Sequence, residues 1–248
     1  SSSAASDVYK RQVCALRETE PMQLPHRRRS HLRADSPRPA DHDVWRLVHA
    51  ERRALIDDLA GLTPEQWETP SLADGWTVHD VAAHLIDNAR TTPWRLTVGM
   101  ARARGDLDKQ NQAGVEAERR PSTAATLDAL RSVAGRTTGP PTWMAPVASR
   151  LVEEIAHGED IRRPLGIRRF YPIPAVQQAL AYQLRAPGSL GGAPAGMRCV
   201  RLVATDAAIT VGEGPEVHGR LLELLMAATG RPWHQGALTG DGVGLLGG

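Results

Sequence analysis

From about Asp41 the apolar residues recur at helical spacing. Val44, Leu47, Val48, Leu55, Ile56 and Leu59 share one stripe, with Asp41 or Asp43 placed to cap it, and predict an amphipathic helix. Thr63-Pro64-Glu65-Gln66 has capping-box form with proline at the first helical position, so a short turn of helix carrying Trp67 should follow. Thr77 and Asp80 repeat the capping spacing, and Val81, Ala82, Leu85 and Ile86 supply the stripe of a long second helix. Residues 103–121 are polar and weakly patterned, and read as a loop or a frayed helix. A third helix is expected from about Ser122 to Arg136 and a fourth from about Trp143 to Arg163, where Pro164 and Gly166 stop it. Four such helices without intervening strands predict a four-helix bundle.

The pattern changes after Phe170. Pro172 and Pro174 mark a linker into a helix near 175–186, followed by a Gly-rich loop over 188–196. Met197–Ala204 and Ala208–Val211 read as two short strands about a turn at Asp206. Glu216–Thr229 reads as a further amphipathic helix closed by Gly230, and Gly212-Glu213-Gly214-Pro215 as a turn rather than a phosphate cradle. The chain therefore divides into a tail (1–40), a mainly α bundle (41–168) and a small α+β domain (169–248).

Composition changes the picture mainly at the N-terminus. Residues 1–40 hold eight Lys or Arg against four Asp or Glu, whereas the remainder holds 22 against 24. The folded part thus lacks a basic excess, which argues against a nucleic-acid partner; Arg27-Arg28-Arg29 belongs to a tail expected to be disordered. Ser2–Gln12 resembles the in-frame translation of a transposase sequencing adapter and is set aside as a scar. No apolar run reaches the ~20 residues of a membrane span, and the first forty residues lack an apolar signal region, so a cytoplasmic, membrane-free protein is expected. With only Cys14 and Cys199, neither a disulfide framework nor a cysteine zinc site is expected. Any metal must be held by His and carboxylate.

The fourth helix contains Glu153-x-x-x-His157, and residues four apart on a helix share a face. His84 lies within the apolar stripe of the second helix and should point into the bundle, where an unsatisfied imidazole is costly. A carboxylate and two imidazoles from facing helices could hold one divalent cation. Taken alone, however, such a pair is more often a surface contact, and such a histidine a satisfied core residue. His79 lies off the ligand face and reads as solvated. Glu154 points away from Glu153 and reads as surface or supporting. Asp160 either orients His157 or pairs with Arg162 or Arg163, the ion pair being preferred. Cys199 reads as a strand core residue.

Two segments add a resemblance. Leu72–Leu85, LADGWTVHDVAAHL, and Glu153–Gly166, EEIAHGEDIRRPLG, resemble the two metal segments of the mycothiol-dependent maleylpyruvate isomerase family, within the DinB-like group of metalloenzymes. RLVATD at 201–206 and GPEV at 214–217 are similar to that family's C-terminal domain, and the likeness runs in order over about residues 42–246. It implies a DinB-like bundle followed by an α+β domain, and matches His84, Glu153 and His157 to the family's zinc ligands. It further implies zinc (or another divalent metal) and mycothiol as cofactors, with a small electrophile as substrate. Thiolate would add to that electrophile, in cis-trans isomerisation or S-transfer. A zinc hydrolase using bound water, or a non-catalytic metal-binding stress protein, would need the same ligands. For a dicarboxylate, Arg162, Arg163, Arg201 and Arg231 are candidate contacts without a means of choosing among them.

Overall fold

The computed structural model describes residues 39–188 and 191–246. The readings placed on residues 1–38 (tail, adapter-like segment, arginine run and Cys14) lie outside the described residues. The described residues fall into two units, 39–182 and 183–246.

The first unit is helical. Helix α1 spans Pro39–Ala60, the short α2 Pro64–Trp67, and α3 Val78–Arg90. Both expected capping boxes form: Thr63 with Gln66, and Thr77 with Asp80. Arg119 locks the second one, donating to Thr77 Oγ1 at 3.2 Å, to Asp80, and to both Glu68 oxygens at 2.8 and 2.9 Å. The N-terminal end of α3 is thereby tied to the end of α2.

The stretch after α3 is more ordered than expected. Helix α4 spans Pro93–Arg102, and most of 103–121, read as a loop or a frayed helix, is the well-formed α5 (Leu107–Glu118). Each has a side-chain cap that propensity alone underweights: Thr92 accepts from the Arg95 amide and Asp106 from the Lys109 amide. Helix α5 has a weak apolar stripe because it approaches α3 through Gly114, where a Cβ would stand 2.4 Å from Asp87 Oδ2. Close backbone approach replaces bulky apolar packing there.

Helix α6 covers Thr123–Val133, capped by Ser122, and α7 covers Ala148–Arg162. The fourth helix therefore starts five residues later than Trp143, which stands 85% exposed; Pro140, Pro141 and Pro146 keep that stretch out of a helix. Helix α3 packs against α5, α6 and α7, and α1 against α6 and α7. Their shared core includes Leu55, Leu59, Trp67, Val81, Leu85, Ile86, Leu130 and Ile161. Helix α8 (Ile173–Gln183) follows.

In the second unit a 3₁₀ turn (Ala195–Arg198) precedes β1 (Arg201–Ala204), β2 (Thr210–Val211), β3 (Glu216–Gly219), α9 (Leu221–Ala228) and β4 (Leu238–Thr239). The sheet order is β2-β1-β3-β4, with β1 and β3 parallel and the outer pairs antiparallel. Glu216–Gly219 is thus a strand rather than the start of a helix. It buries Val217 and Gly219 in alternation, and Asp206 caps α9 by accepting from the Leu221 amide at 2.8 Å. Gly212 and Gly214 take positive φ (87° and 120°), as a turn requires. Cys199 is not a strand residue; it closes the 3₁₀ turn, partly exposed. It is also disulfide-bonded, against expectation.

A candidate metal centre in the bundle

His84 sits in the middle of α3 with its ring turned inward and 7% of its surface exposed. Glu153 and His157 stand one turn apart on α7, which packs against α3. All three offer ligand atoms within 4.8 Å of one another. The Nε2 atoms of His84 and His157 each lie 3.5 Å from the same oxygen, Glu153 Oε2. Ligand atoms about 2.0–2.1 Å from a tetrahedral zinc are roughly 3.3 Å apart, so little adjustment is needed to admit one.

Around this triad the side chains are fixed. His157 Nδ1 meets the fully buried Asp160 carboxylate at 2.9 Å. That is the orienting role, whereas the preferred ion pair of Asp160 with Arg162 or Arg163 gives way to other partners. Arg162 reaches Asp58 at 2.7 Å and Arg163 reaches Glu159 at 2.8 Å. Trp76 lays its ring 5.0 Å from that of His84 and 6.4 Å from that of His157. Its Nε1 donates to Gln112 at 3.1 Å.

The electrostatics follow from this packing. Burial pushes the His84 imidazole below its ordinary value, so it favours the neutral, ligating form. Burial acts on Glu153 in the opposite sense, but contacts with His157 and His84 outweigh it and hold the carboxyl well below its usual range. His157 also loses hydration, yet Asp160 and Glu153 overcome that and push it up to about 9. A proton on His157 offsets one of the two carboxylate charges it faces, those of Glu153 and Asp160. His84 Nδ1 is buried and makes no hydrogen bond among the described residues. That atom is not the nitrogen facing Glu153, so the fit to a metal ligand rests on the donor set: two imidazole nitrogens and a carboxylate oxygen drawn together from facing helices.

Two further sequence readings are corrected. His79 is not solvated: it is 3% exposed, with Nε2 2.7 Å from Thr126 Oγ1 and Nδ1 3.3 Å from Glu68. Glu154 is not at the surface either; it is buried and accepts from Arg52 Nε at 2.7 Å, away from the triad. Spacing also gave no sign of Asn88. Four residues after His84 on α3, it donates from Nδ2 to Glu153 Oε2 at 2.7 Å and accepts from Arg150. Tyr182 on α8 lies within the fields of Arg150 and Glu153. Of the arginines considered from sequence, Arg162 reaches Asp58, Arg163 reaches Glu159, and Arg201 pairs with Glu216 in the second unit at 3.6 Å.

Comparison with known proteins bears on this geometry. Residues 48–162 match the family model described as the mycothiol maleylpyruvate isomerase N-terminal domain, a span containing all three triad residues. The bundle belongs to that domain family. Two solved structures share the fold: the mycothiol-dependent maleylpyruvate isomerase and a histidine-to-alanine mutant of it. They are 16% and 15% identical to this chain, each with a TM-score of 0.55, over 81% of this chain and 92% of theirs. The chain therefore has the DinB-like fold of the maleylpyruvate isomerase, bundle first and small α+β unit after it. No curated protein matches the sequence. Among the described residues no helix is long and apolar enough to cross a membrane.

Proposed function

We propose that this protein is a thiol-dependent metalloenzyme of the maleylpyruvate isomerase family, with His84, Glu153 and His157 as the ligands of a divalent metal, zinc being the choice their chemistry favours. The observation that carries the reading is the convergence of two imidazole nitrogens on one carboxylate oxygen, 3.5 Å from each, inside the span that matches the family domain. Two histidines and one carboxylate leave a tetrahedral site one ligand short, as in catalytic rather than structural zinc sites. A metal held there would supply Lewis acidity and lower the pKa of a thiol, for which the family's name points to mycothiol.

The chain's own residues account for the rest. Asp160 holds the His157 ring at Nδ1, which turns Nε2 toward Glu153 as the ligating nitrogen. Asn88 fixes the Glu153 carboxylate from α3. Trp76 lies tilted beside both histidine rings and places an apolar wall next to them. The substrate is a small electrophile, and isomerisation or S-transfer are the two outcomes open to thiolate addition. In neither does a protein cysteine act as the nucleophile.

The test is metal content beside activity. Wild-type protein should carry about one zinc per chain, and His84→Ala and His157→Ala should lose it while keeping their helical circular dichroism. Turnover of a panel of cis-unsaturated acids and alkyl halides should require mycothiol. Metal-free wild-type protein whose stability ignores added zinc would overturn the ligand assignment. Zinc-loaded protein that turns over substrates equally well without thiol would overturn the thiol-dependent reading and leave the metal.

A further inference from the structure

Three arginines are buried in the bundle: Arg52, Arg150 and Arg162. Arg52 is paired with Glu154 and Arg162 with Asp58, each at 2.7 Å. Arg150 has no such partner. Only 7% of its surface is exposed, yet no carboxylate oxygen among the described residues lies within ion-pairing distance of it. Its Nε donates to Ser149 Oγ at 3.3 Å and its Nη1 to Asn88 Oδ1; Nη2 makes no hydrogen bond among the described residues. The charges of Glu153 and Glu154 act on Arg150 from beyond ion-pairing distance, and a guanidinium taken out of water without a carboxylate in direct contact is costly.

Arg150 lines a cavity of about 260 Å³ together with Trp45, Thr92, Thr137, Thr138 and Thr142. Thr138 gives its proton to the Ala89 carbonyl, so the hydroxyls of Thr92, Thr137 and Thr142 are those that suit a ligand's acceptor oxygens. Thr92 uses its oxygen as an acceptor from the Arg95 amide, which leaves its proton to donate. The cavity also lies at the start of α7, where Val147 provides no side-chain cap and the helix dipole favours negative charge. The volume is below that of most drug-sized ligand sites and fits a small acid.

We propose that this cavity is a binding site for a small carboxylate, held by the Arg150 guanidinium in a two-pronged contact and flanked by threonine hydroxyls. It is separate from the triad but adjacent to it: Asn88 accepts from Arg150 and donates to Glu153 Oε2. The site stands apart from the metal reading in its lining, since none of the triad residues borders the cavity and no carboxylate is in direct contact with Arg150.

The experiment is calorimetric titration of the full chain with maleate, in protein stripped with a chelator and in zinc-loaded protein. Stripped wild type should bind one maleate per chain. Binding should weaken by at least about tenfold in Arg150→Gln and in Ala145→Leu, which narrows the cavity from a half-exposed position, and should survive in His84→Ala. Circular dichroism melts check that each variant is folded, and Ala145→Leu keeps the test decisive if Arg150→Gln is not. Tighter maleate binding in zinc-loaded protein would mark the carboxylate of a ligand reaching the triad, and equal binding would mark a separate acid. The proposal fails if stripped wild type binds no maleate, if folded Arg150→Gln binds it as wild type does, or if His84→Ala abolishes binding. It also fails in its ligand class if inorganic phosphate binds as tightly as maleate.

Discussion

Replacing Asp160 tests whether the triad is a working metal site rather than a buried polar cluster. The Asp160 carboxylate is fully buried and 2.9 Å from His157 Nδ1. A hydrogen bond between a charged group and a partner is worth about 1.5–3 kcal/mol, and loss of such orienting partners costs metal sites about 10- to 100-fold in affinity. Asp160 does two opposed things, however. It strengthens His157 as a ligand, and it also holds the proton that a metal must displace, pushing His157 up to about 9. At pH 7 these partly cancel, because metal-free wild type starts with His157 protonated. Above pH 9 only the ligand effect remains. Asp160→Asn keeps an oxygen facing Nδ1 but no charge, so its zinc affinity should fall by about tenfold above pH 9 and by less at pH 7. The assay is competition for zinc with a chromophoric chelator at both pH values. A zinc affinity within about threefold of wild type at high pH would refute the argument, as would a larger loss at pH 7.

Three other outcomes follow from the packing. Gly114→Val places a side chain where a Cβ already meets Asp87 Oδ2 at 2.4 Å, and should lower stability by about 1–3 kcal/mol in urea unfolding; an unchanged midpoint would mean that α3 and α5 are not in close contact. Glu154→Leu strands the buried Arg52 charge and should cost about 3–5 kcal/mol, whereas the double variant with Arg52→Met should recover most of it, as a double-mutant cycle would read. The third concerns acid. Burial pushes Asp80 up, but hydrogen bonds from Thr77 and Arg119 hold it below its ordinary value, and Arg119 does the same for Glu68. Carboxyls lowered in the folded state add stability above their unfolded values, near pH 4, and lose it as the pH falls through the folded ones. Arg119→Ala should therefore destabilise at pH 7 and show less of a further decline on acidification than wild type, which parallel melts from pH 7 to pH 3 would check.

Where local chemistry sets the structure, the sequence could be read directly. Thr63–Gln66 and Thr77–Asp80 form their capping boxes because those contacts involve neighbours along the chain. The triad residues were legible as candidates because His84 interrupts an apolar stripe and Glu153 and His157 share a helical face. Elements whose reason lies elsewhere in the fold were not legible. Helix α5 has a thin stripe because Gly114 brings backbone close to Asp87. Strand β3 is followed within two residues by α9, so the apolar positions of both merge into one apparent helical pattern. His79 and Glu154 look like surface residues in a sequence window, and their partners Thr126 and Arg52 are 47 and 102 residues away. Asn88 and Arg150 follow the same logic at 62 residues.

The lock that Arg119 closes on the start of α3 has a consequence for how a cation would come and go. Glu68, Thr77 and Asp80 are held by Arg119, and the apolar core from Leu55 to Ile161 draws on none of the three triad side chains. The scaffold that presents His84 should therefore fold before any ion arrives. Loading should be a local exchange of His157's proton for a cation, with release rates set by ligand geometry rather than by unfolding. Added zinc should raise the melting temperature gradually with concentration, by mass action on an already folded chain, unlike a finger domain that folds only around its metal.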